Sequence, residues 1–159
     1  MPIPAFGDGG LLPAGRHEAT VDDVRASLVE AFEGSSTRAA IFSYWLDLRE
    51  ALDELVPVRA QWLDGSFTTD KLDPADLDLV TVIDGPAFDD LPRHRRLLVA
   101  SMIEGTYTEQ FWACDSNPLL RYPEGDLGYQ ASLVVAGRWE SYFGHTRDGA
   151  EKGFVEVAA

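Results

Sequence analysis

Cysteine is nearly missing from this sequence: Cys114 stands alone. A lone thiol excludes an internal disulfide and a cysteine-based zinc site, and it leads to an expectation of a reducing, cytoplasmic setting. Histidine is also scarce, with three residues and no pair at ligand spacing, so no imidazole zinc motif is present. No stretch approaches the roughly 20 apolar residues that span a bilayer. The start, Met1-Pro2-Ile3-Pro4-Ala5-Phe6-Gly7-Asp8, lacks the basic and apolar regions of a secretory signal, and no membrane partner is expected. Positive charge is in short supply too, with 13 Lys and Arg against 27 Asp and Glu and a formal net charge of -14. That balance repels a phosphate backbone and argues against nonspecific duplex DNA binding. The one dense basic run, Arg93-His94-Arg95-Arg96, reads as a solvated first turn of a helix.

What the sequence does hold is material for a core. Hydrophobic residues make up 45% of 159 positions, including four Trp, five Tyr and eight Phe. A chain of this size buries most of the surface its unfolded form exposes. Without repeats, low-complexity tracts or linkers, residues 1–159 read as a single domain, with residues 1–19, rich in Gly and Pro, as an irregular arm packed over it. Thr20 and Asp23 form a capping pair for a first helix carrying Val21, Val24, Leu28 and Phe32 until Gly34. Ser36 or Thr37 caps a second helix with the stripe Ile41, Trp45, Leu48, Leu52 and Leu55, ended by Pro57. Val58 to Leu63 and Leu77 to Ile83 read as paired strands, and Leu91 to Ile103 as a helix closed by Gly105. Glu109 to Leu120 is aromatic and apolar at its start and reads as a third strand. Asp126 to Phe143 reads as a helix, and Phe154 to Val157 as a short last strand. The expected class is α/β in the α+β sense: a small mixed sheet flanked by helices. Trp45 and Trp139 fall on helical apolar stripes and are assigned to the core. Trp62 and Trp112 are placed on strands, with burial favoured over packing against a base.

One constellation carries chemistry. Moving a phosphoryl group from a nucleoside triphosphate calls for divalent cations, and hard cations such as magnesium take carboxylate oxygen. In an extended strand residues i and i+2 share a side, so Asp76 and Asp78 face one way while Leu77 and Leu79 face the core. Upstream, Gly65 permits close backbone approach to a phosphate, and the Ser66 hydroxyl can donate to a phosphate oxygen. Asp70, Asp73, Asp76 and Asp78 do not form a calcium loop. Val80, Thr81 and Val82 occupy the positions where its turn glycine and oxygen ligands belong, and no Glu closes it. Gly65-Ser66-Phe67 lacks the flanking glycines of a nucleophile elbow.

Leu63-Asp64-Gly65-Ser66 followed by Asp76-Leu77-Asp78-Leu79 resembles the signature of the polymerase-β-like nucleotidyltransferase superfamily. The short segment Phe67-Thr68-Thr69-Asp70-Lys71 is similar to the reduced linker of its minimal members, often found in bacterial toxin and antitoxin operons. The chain as a whole also resembles a bacterial and phage family without an assigned activity. That likeness runs through Leu12-Pro13-Ala14-Gly15-Arg16-His17, Gly65 to Lys71, and Phe143-Gly144-His145-Thr146-Arg147-Asp148-Gly149 leading to Lys152-Gly153-Phe154. The superfamily resemblance implies a nucleotidyltransferase-like fold, Mg2+ or Mn2+ as cofactor, metal ligands Asp76 and Asp78, and a third carboxylate from a later strand. Asp115 is the candidate for that third ligand and for the catalytic base; Asp84 and Glu104 are weaker substitutes. Lys71 joins Gly65 and Ser66 as a nucleotide-binding candidate, with a solvated loop lysine as the plainer reading. His145, Arg147 and Lys152 are candidates for acceptor or phosphate contacts, although a lone histidine is more often a hydrogen-bonded structural residue.

The leading expectation is an enzyme that moves a nucleoside monophosphate from a triphosphate to a hydroxyl of RNA, protein or a small molecule, in a toxin-antitoxin or phage-defence setting. The competing expectation is a degenerate nucleotidyltransferase fold that binds a basic partner through its acidic surface. The position of Asp115 discriminates between them.

Overall fold

The computed structural model describes residues 2–159, with the backbone alone for Thr106 and Tyr107. Thr20 opens the first helix with both halves of a capping box: its hydroxyl accepts from Asp23 N and the Asp23 carboxylate accepts from Thr20 N. Helix α1, Val21–Arg25, then loosens into a π turn over Ala26–Glu30. Helix α2, Arg38–Asp53, buries Ile41, Trp45, Leu48 and Leu52, the apolar stripe expected from spacing. Each such side chain removed from water contributes about 1.5–3 kcal/mol.

The strands are β1 (Gly15–Ala19), β2 (Val58–Asp64), β3 (Leu77–Asp84), β4 (Cys114–Arg121) and β5 (Gly153–Ala158). They form one open mixed sheet in the order β1-β5-β2-β3-β4. β2 runs antiparallel to both β3 and β5, whereas β1 with β5 and β3 with β4 are parallel. A parallel pair needs a crossover, and helices α3 (Gly85–Asp89), α4 (Arg93–Ile103) and α5 (Thr106–Trp112) supply it between β3 and β4. Helix α6, Tyr129–Phe143, lies between β4 and β5 in the chain.

Alternation along the strands divides the core. Leu63, Leu77, Leu79, Ile83, Val155 and Val157 pack with α1, α2 and α4 on one face. Trp62, Val80, Val82, Leu119 and Phe154 pack on the other against Ala136 and Phe143 of α6. The described residues include no helix long and apolar enough to cross a membrane.

Four local expectations need correction. Within the supposed irregular arm, whose Met1 lies outside the described residues, Gly15–Ala19 is an edge strand paired with β5. The segment from Glu109 to Leu120 is not one strand: α5 ends at Trp112, Ala113 takes the left-handed conformation (φ 49°), and β4 starts at Cys114. Trp112 therefore belongs to a helix. Thr37 makes no capping bond; Ser35 Oγ accepts from Arg38 N at 3.2 Å, and Asp73 accepts from Ser36 N at 2.6 Å.

Candidate functional site

The carboxylates reach one place through strand parity and register. Asp64 ends β2 on the same face as Trp62, Asp78 shares its face with Val80 and Val82, and Asp115 shares its face with Leu119. All three therefore project toward the α6 side of the sheet. Register then aligns them: Asp64 pairs with Asp78 across β2 and β3, and Asp78 pairs with Asp115 across β3 and β4. The result is a row of aspartates over three adjacent strands. Asp76, just before β3, has the same parity as Asp78. Like charges directly opposite one another oppose sheet formation, so packing alone does not account for this row.

Gly65 makes the row sterically feasible. Its φ is +75°, and a Cβ there would lie 1.9 Å from Asp78 Oδ2. The chain then enters a single 3-10 turn, Gly65–Thr68. Thr69 N and Thr69 Oγ1 donate to Ser66 O at 3.3 and 2.9 Å. From the other side, Asp70 N donates to Gly10 O at 3.0 Å, and Leu11 bridges to Thr69. The N-terminal segment thus braces the Gly-Ser turn.

A buried cation braces it from below. Arg38 is fully buried and donates to the carbonyls of Leu28, Phe67, Thr69, Lys71 and Leu72 at 2.6–3.3 Å. Its guanidinium lies 3.6 Å from the centre of the Phe32 ring. Burial lowers its pKa to about 10, against the opposing pull of Asp73 and Asp70.

Above the aspartates opens a cleft of about 980 Å³. Its lining includes Asp64, Asp76 and Asp78 with Gly65, Ser66 and Lys71; opposite them stand Arg138, Ser141, Tyr142, His145 and Arg147. Asp115 is half-buried next to Asp78 in register and is not itself part of the lining. Burial raises the Asp78 carboxyl to about 6, and the neighbouring charges of Asp76 and Asp115 push the same way against Lys152 and Arg147. Burial also raises Asp64 to about 6, outweighing the ion pair it forms with Lys152.

Lys152, the candidate for acceptor or phosphate contacts, lines the cleft from within an ion pair with Asp64. It is buried, its ammonium donates to Asp64 Oδ1, and its backbone N donates to Gly144 O at 2.9 Å. His145 lines the cleft, with Nδ1 hydrogen-bonded to Ser141 O at 2.8 Å. Of the substitutes for Asp115, Asp84 caps α3 by accepting from Ala87 N at 2.9 Å and pairs with Arg59. Glu104 lines a separate pocket beside Leu120 and Val135. Trp62 is buried against Phe154 with its indole N–H on Glu156, so it is not placed to meet a base. The exposed run Arg93–Arg96 forms the first turn of α4, away from the cleft lining. Cys114 is buried with its thiol pushed up to about 12, which leaves it inert as a nucleophile.

Sequence reasoning passed over Asp64, Arg38, Arg138 and Tyr142. Arg138, Ser141, Tyr142 and His145 follow one another at helical spacing, so a polar stripe along α6 was the available signal. For Arg38 the sequence offered none, because its partners are backbone carbonyls.

The donor set suits a hard divalent cation: Asp76, Asp78 and Asp115 offer oxygen only, and Asp78 responds electrostatically to both others. Among the described residues, no three carboxylate, imidazole or thiol groups stand close enough in this conformation to share an ion. Comparison with curated proteins and with solved structures gave no match. Residues 4–158 match a family of unknown function (DUF6932), and the chain belongs to that family.

Proposed function

We propose that this chain is a divalent-cation-dependent nucleotidyltransferase. The observation that carries the reading is the aspartate row across β2, β3 and β4, whose members Asp64 and Asp78 line, together with Asp76, a cleft that Arg138 and Arg147 also line. Asp76, Asp78 and Asp115 would hold Mg2+ or Mn2+, which neutralises phosphate charge when bound. The Gly65-Ser66 turn supports a phosphate through its backbone and the Ser66 hydroxyl, and the exposed Lys71 adds a mobile positive charge. In the transfer, the acceptor hydroxyl oxygen bonds to the α-phosphorus. The bond from that phosphorus to the bridging oxygen breaks, and pyrophosphate leaves. Asp115 takes the hydroxyl proton. Lys152 holds the Asp64 carboxylate and offsets part of the negative charge around Asp78. Most of the acceleration would come from positioning and charge stabilisation.

The separation of the three carboxylates and the Lys152–Asp64 pair favour a second reading, an inert cleft on a protein that binds a basic partner in a toxin-antitoxin or phage-defence setting. One assay separates the two. The chain is incubated with each α-labelled nucleoside triphosphate, Mg2+ or Mn2+, and total cellular RNA and protein. Labelled product is expected from the wild type and not from the Asp76→Ala, Asp78→Ala double variant. Equal labelling by both, or labelling by neither, overturns the transferase reading, and labelling by neither favours the binding one.

A further inference from the structure

The α6 side of the cleft carries two arginines and an aromatic ring. Arg138 and Arg147 both line it, and neither guanidinium has a hydrogen bond or ion pair among the described residues. In a chain of net charge -14, two cations without a hydrogen-bonded or ion-paired partner at one cleft are a local reversal of sign, although Arg147 also acts on Asp78 through its charge. Both are held by ordered structure. Arg138 lies inside α6, and Arg147 sits in a turn closed by Thr146 N donating to Ala150 O at 2.8 Å and Gly149 N to Thr146 O at 3.0 Å.

Between them stands Tyr142, one helical turn beyond Arg138. It is 68% exposed, which is unusual for an aromatic ring lining a concave site. Its ring meets Trp139 edge-on, with centroids 5.8 Å apart, and stays largely exposed. Cations near an outward aromatic ring match a chain of phosphates bearing unstacked bases. Phosphates meet the guanidinium forks, and a base meets the ring. A duplex keeps its bases stacked and cannot use the ring.

We infer that the α6 wall binds the end of a single-stranded nucleic acid, with phosphates on Arg138 and Arg147 and a base on Tyr142. Its terminal hydroxyl is then the acceptor, a role that rests on the transferase reading. The contact is small, so it is compatible with the absence of broad nucleic-acid affinity that the overall charge implies.

The test is fluorescence anisotropy with an end-labelled single-stranded 12-mer of mixed sequence, as RNA and as DNA, in EDTA and without nucleotide. The wild type is expected to bind, with log Kd rising against log salt at a slope of about 1.4, the value for two neutralised phosphates on a single strand. Arg138→Gln with Arg147→Gln is expected to weaken binding at least tenfold, and Tyr142→Ala about tenfold. The same sequence as a blunt duplex should bind at least tenfold more weakly. Either strand chemistry showing these losses supports the inference, and the tighter of the two is the source. No binding by either strand, variants that bind like the wild type, or equal affinity for duplex overturns it. The Asp76→Ala, Asp78→Ala variant should keep its strand affinity. Wild-type transfer of label without strand binding would remove this inference and leave the transferase reading; strand binding without transfer would do the opposite.

Discussion

Gly65 and Asp78 are in such close contact that no side chain fits between them: a Cβ on Gly65 would lie 1.9 Å from Asp78 Oδ2. The same glycine has φ +75°, a conformation that costs an L-residue about 1–2 kcal/mol. Gly65→Ala should therefore lower the urea-unfolding free energy by about 2 kcal/mol and displace the Asp78 carboxylate. Activity should fall further than stability, because the displaced group is a proposed cation ligand. A variant with wild-type stability and turnover would show that this contact positions nothing.

Asp78 also predicts a pH dependence. Its carboxyl ionises near 6 in the folded chain instead of near its ordinary 3.8. Between those values the folded state holds more protons than the unfolded one, so stability falls as pH rises from about 4 to about 6 and then levels. Asp64, raised in the same direction, contributes in the same window. Asp78→Asn should thus be more stable than the wild type at pH 7.5, on the order of 1 kcal/mol once solvent screening is allowed for. The advantage should vanish near pH 4. Urea titrations of both proteins across pH 4–8 measure it, and a gap that widens on acidification would contradict the assignment.

If those carboxylates hold a divalent cation, added Mg2+ or Mn2+ should stabilise the folded wild type by mass action. At a concentration one hundred times Kd the gain is about 2.7 kcal/mol, seen as a higher melting temperature. Asp76→Ala with Asp78→Ala should remove the increment while leaving the metal-free protein folded. A cation-induced shift of equal size in both proteins would place the ion elsewhere.

The parts of this corner differ in how far the sequence announced them. Val58–Asp64 and Leu77–Asp84 were legible because buried strands carry β-branched and leucine residues between sharp breaks at Gly65 and Gly85. The shared side of Asp76 and Asp78 followed from a period of two. What local pattern could not supply was register. Asp64 joins the row only because β2 pairs with β3 antiparallel, and Asp115 only because β4 aligns in parallel beside β3 after a crossover of three helices. β1 was illegible for a similar reason: Gly15-Arg16-His17-Glu18 is polar, and its partner β5 lies at the other end of the chain. Phe111 and Trp112 have strand propensity, yet tertiary packing places them at the end of α5.

The Lys152–Asp64 pair yields a stability cycle. Both groups are buried, so removing either partner strands a charge in a poor solvent. Asp64→Leu alone should cost about 3–5 kcal/mol, and the double change Asp64→Leu with Lys152→Met should recover most of that loss. Activity should not recover with it, because Lys152 also tempers the charge around Asp78. Equal losses in single and double variants would mean that the two groups are energetically independent.

Arg38 is the strongest test of how the Gly-Ser turn is held. Its guanidinium donates to five backbone carbonyls, four of them in the segment Phe67–Leu72 that leads out of the turn. Lysine carries the same charge on three donors without the planar fork, so it cannot reach carbonyls spread over that segment. Arg38→Lys leaves at least two of these buried or part-buried acceptors without their donor, each costing about 1–3 kcal/mol. The expected loss is therefore about 3 kcal/mol or more in urea unfolding. Because the bonds run to the turn, amide exchange should accelerate at Phe67 to Leu72 before it does in β2 or β3. A uniform increase in exchange over the whole sheet would instead show that Arg38 stabilises the fold globally and leaves the turn to the N-terminal segment.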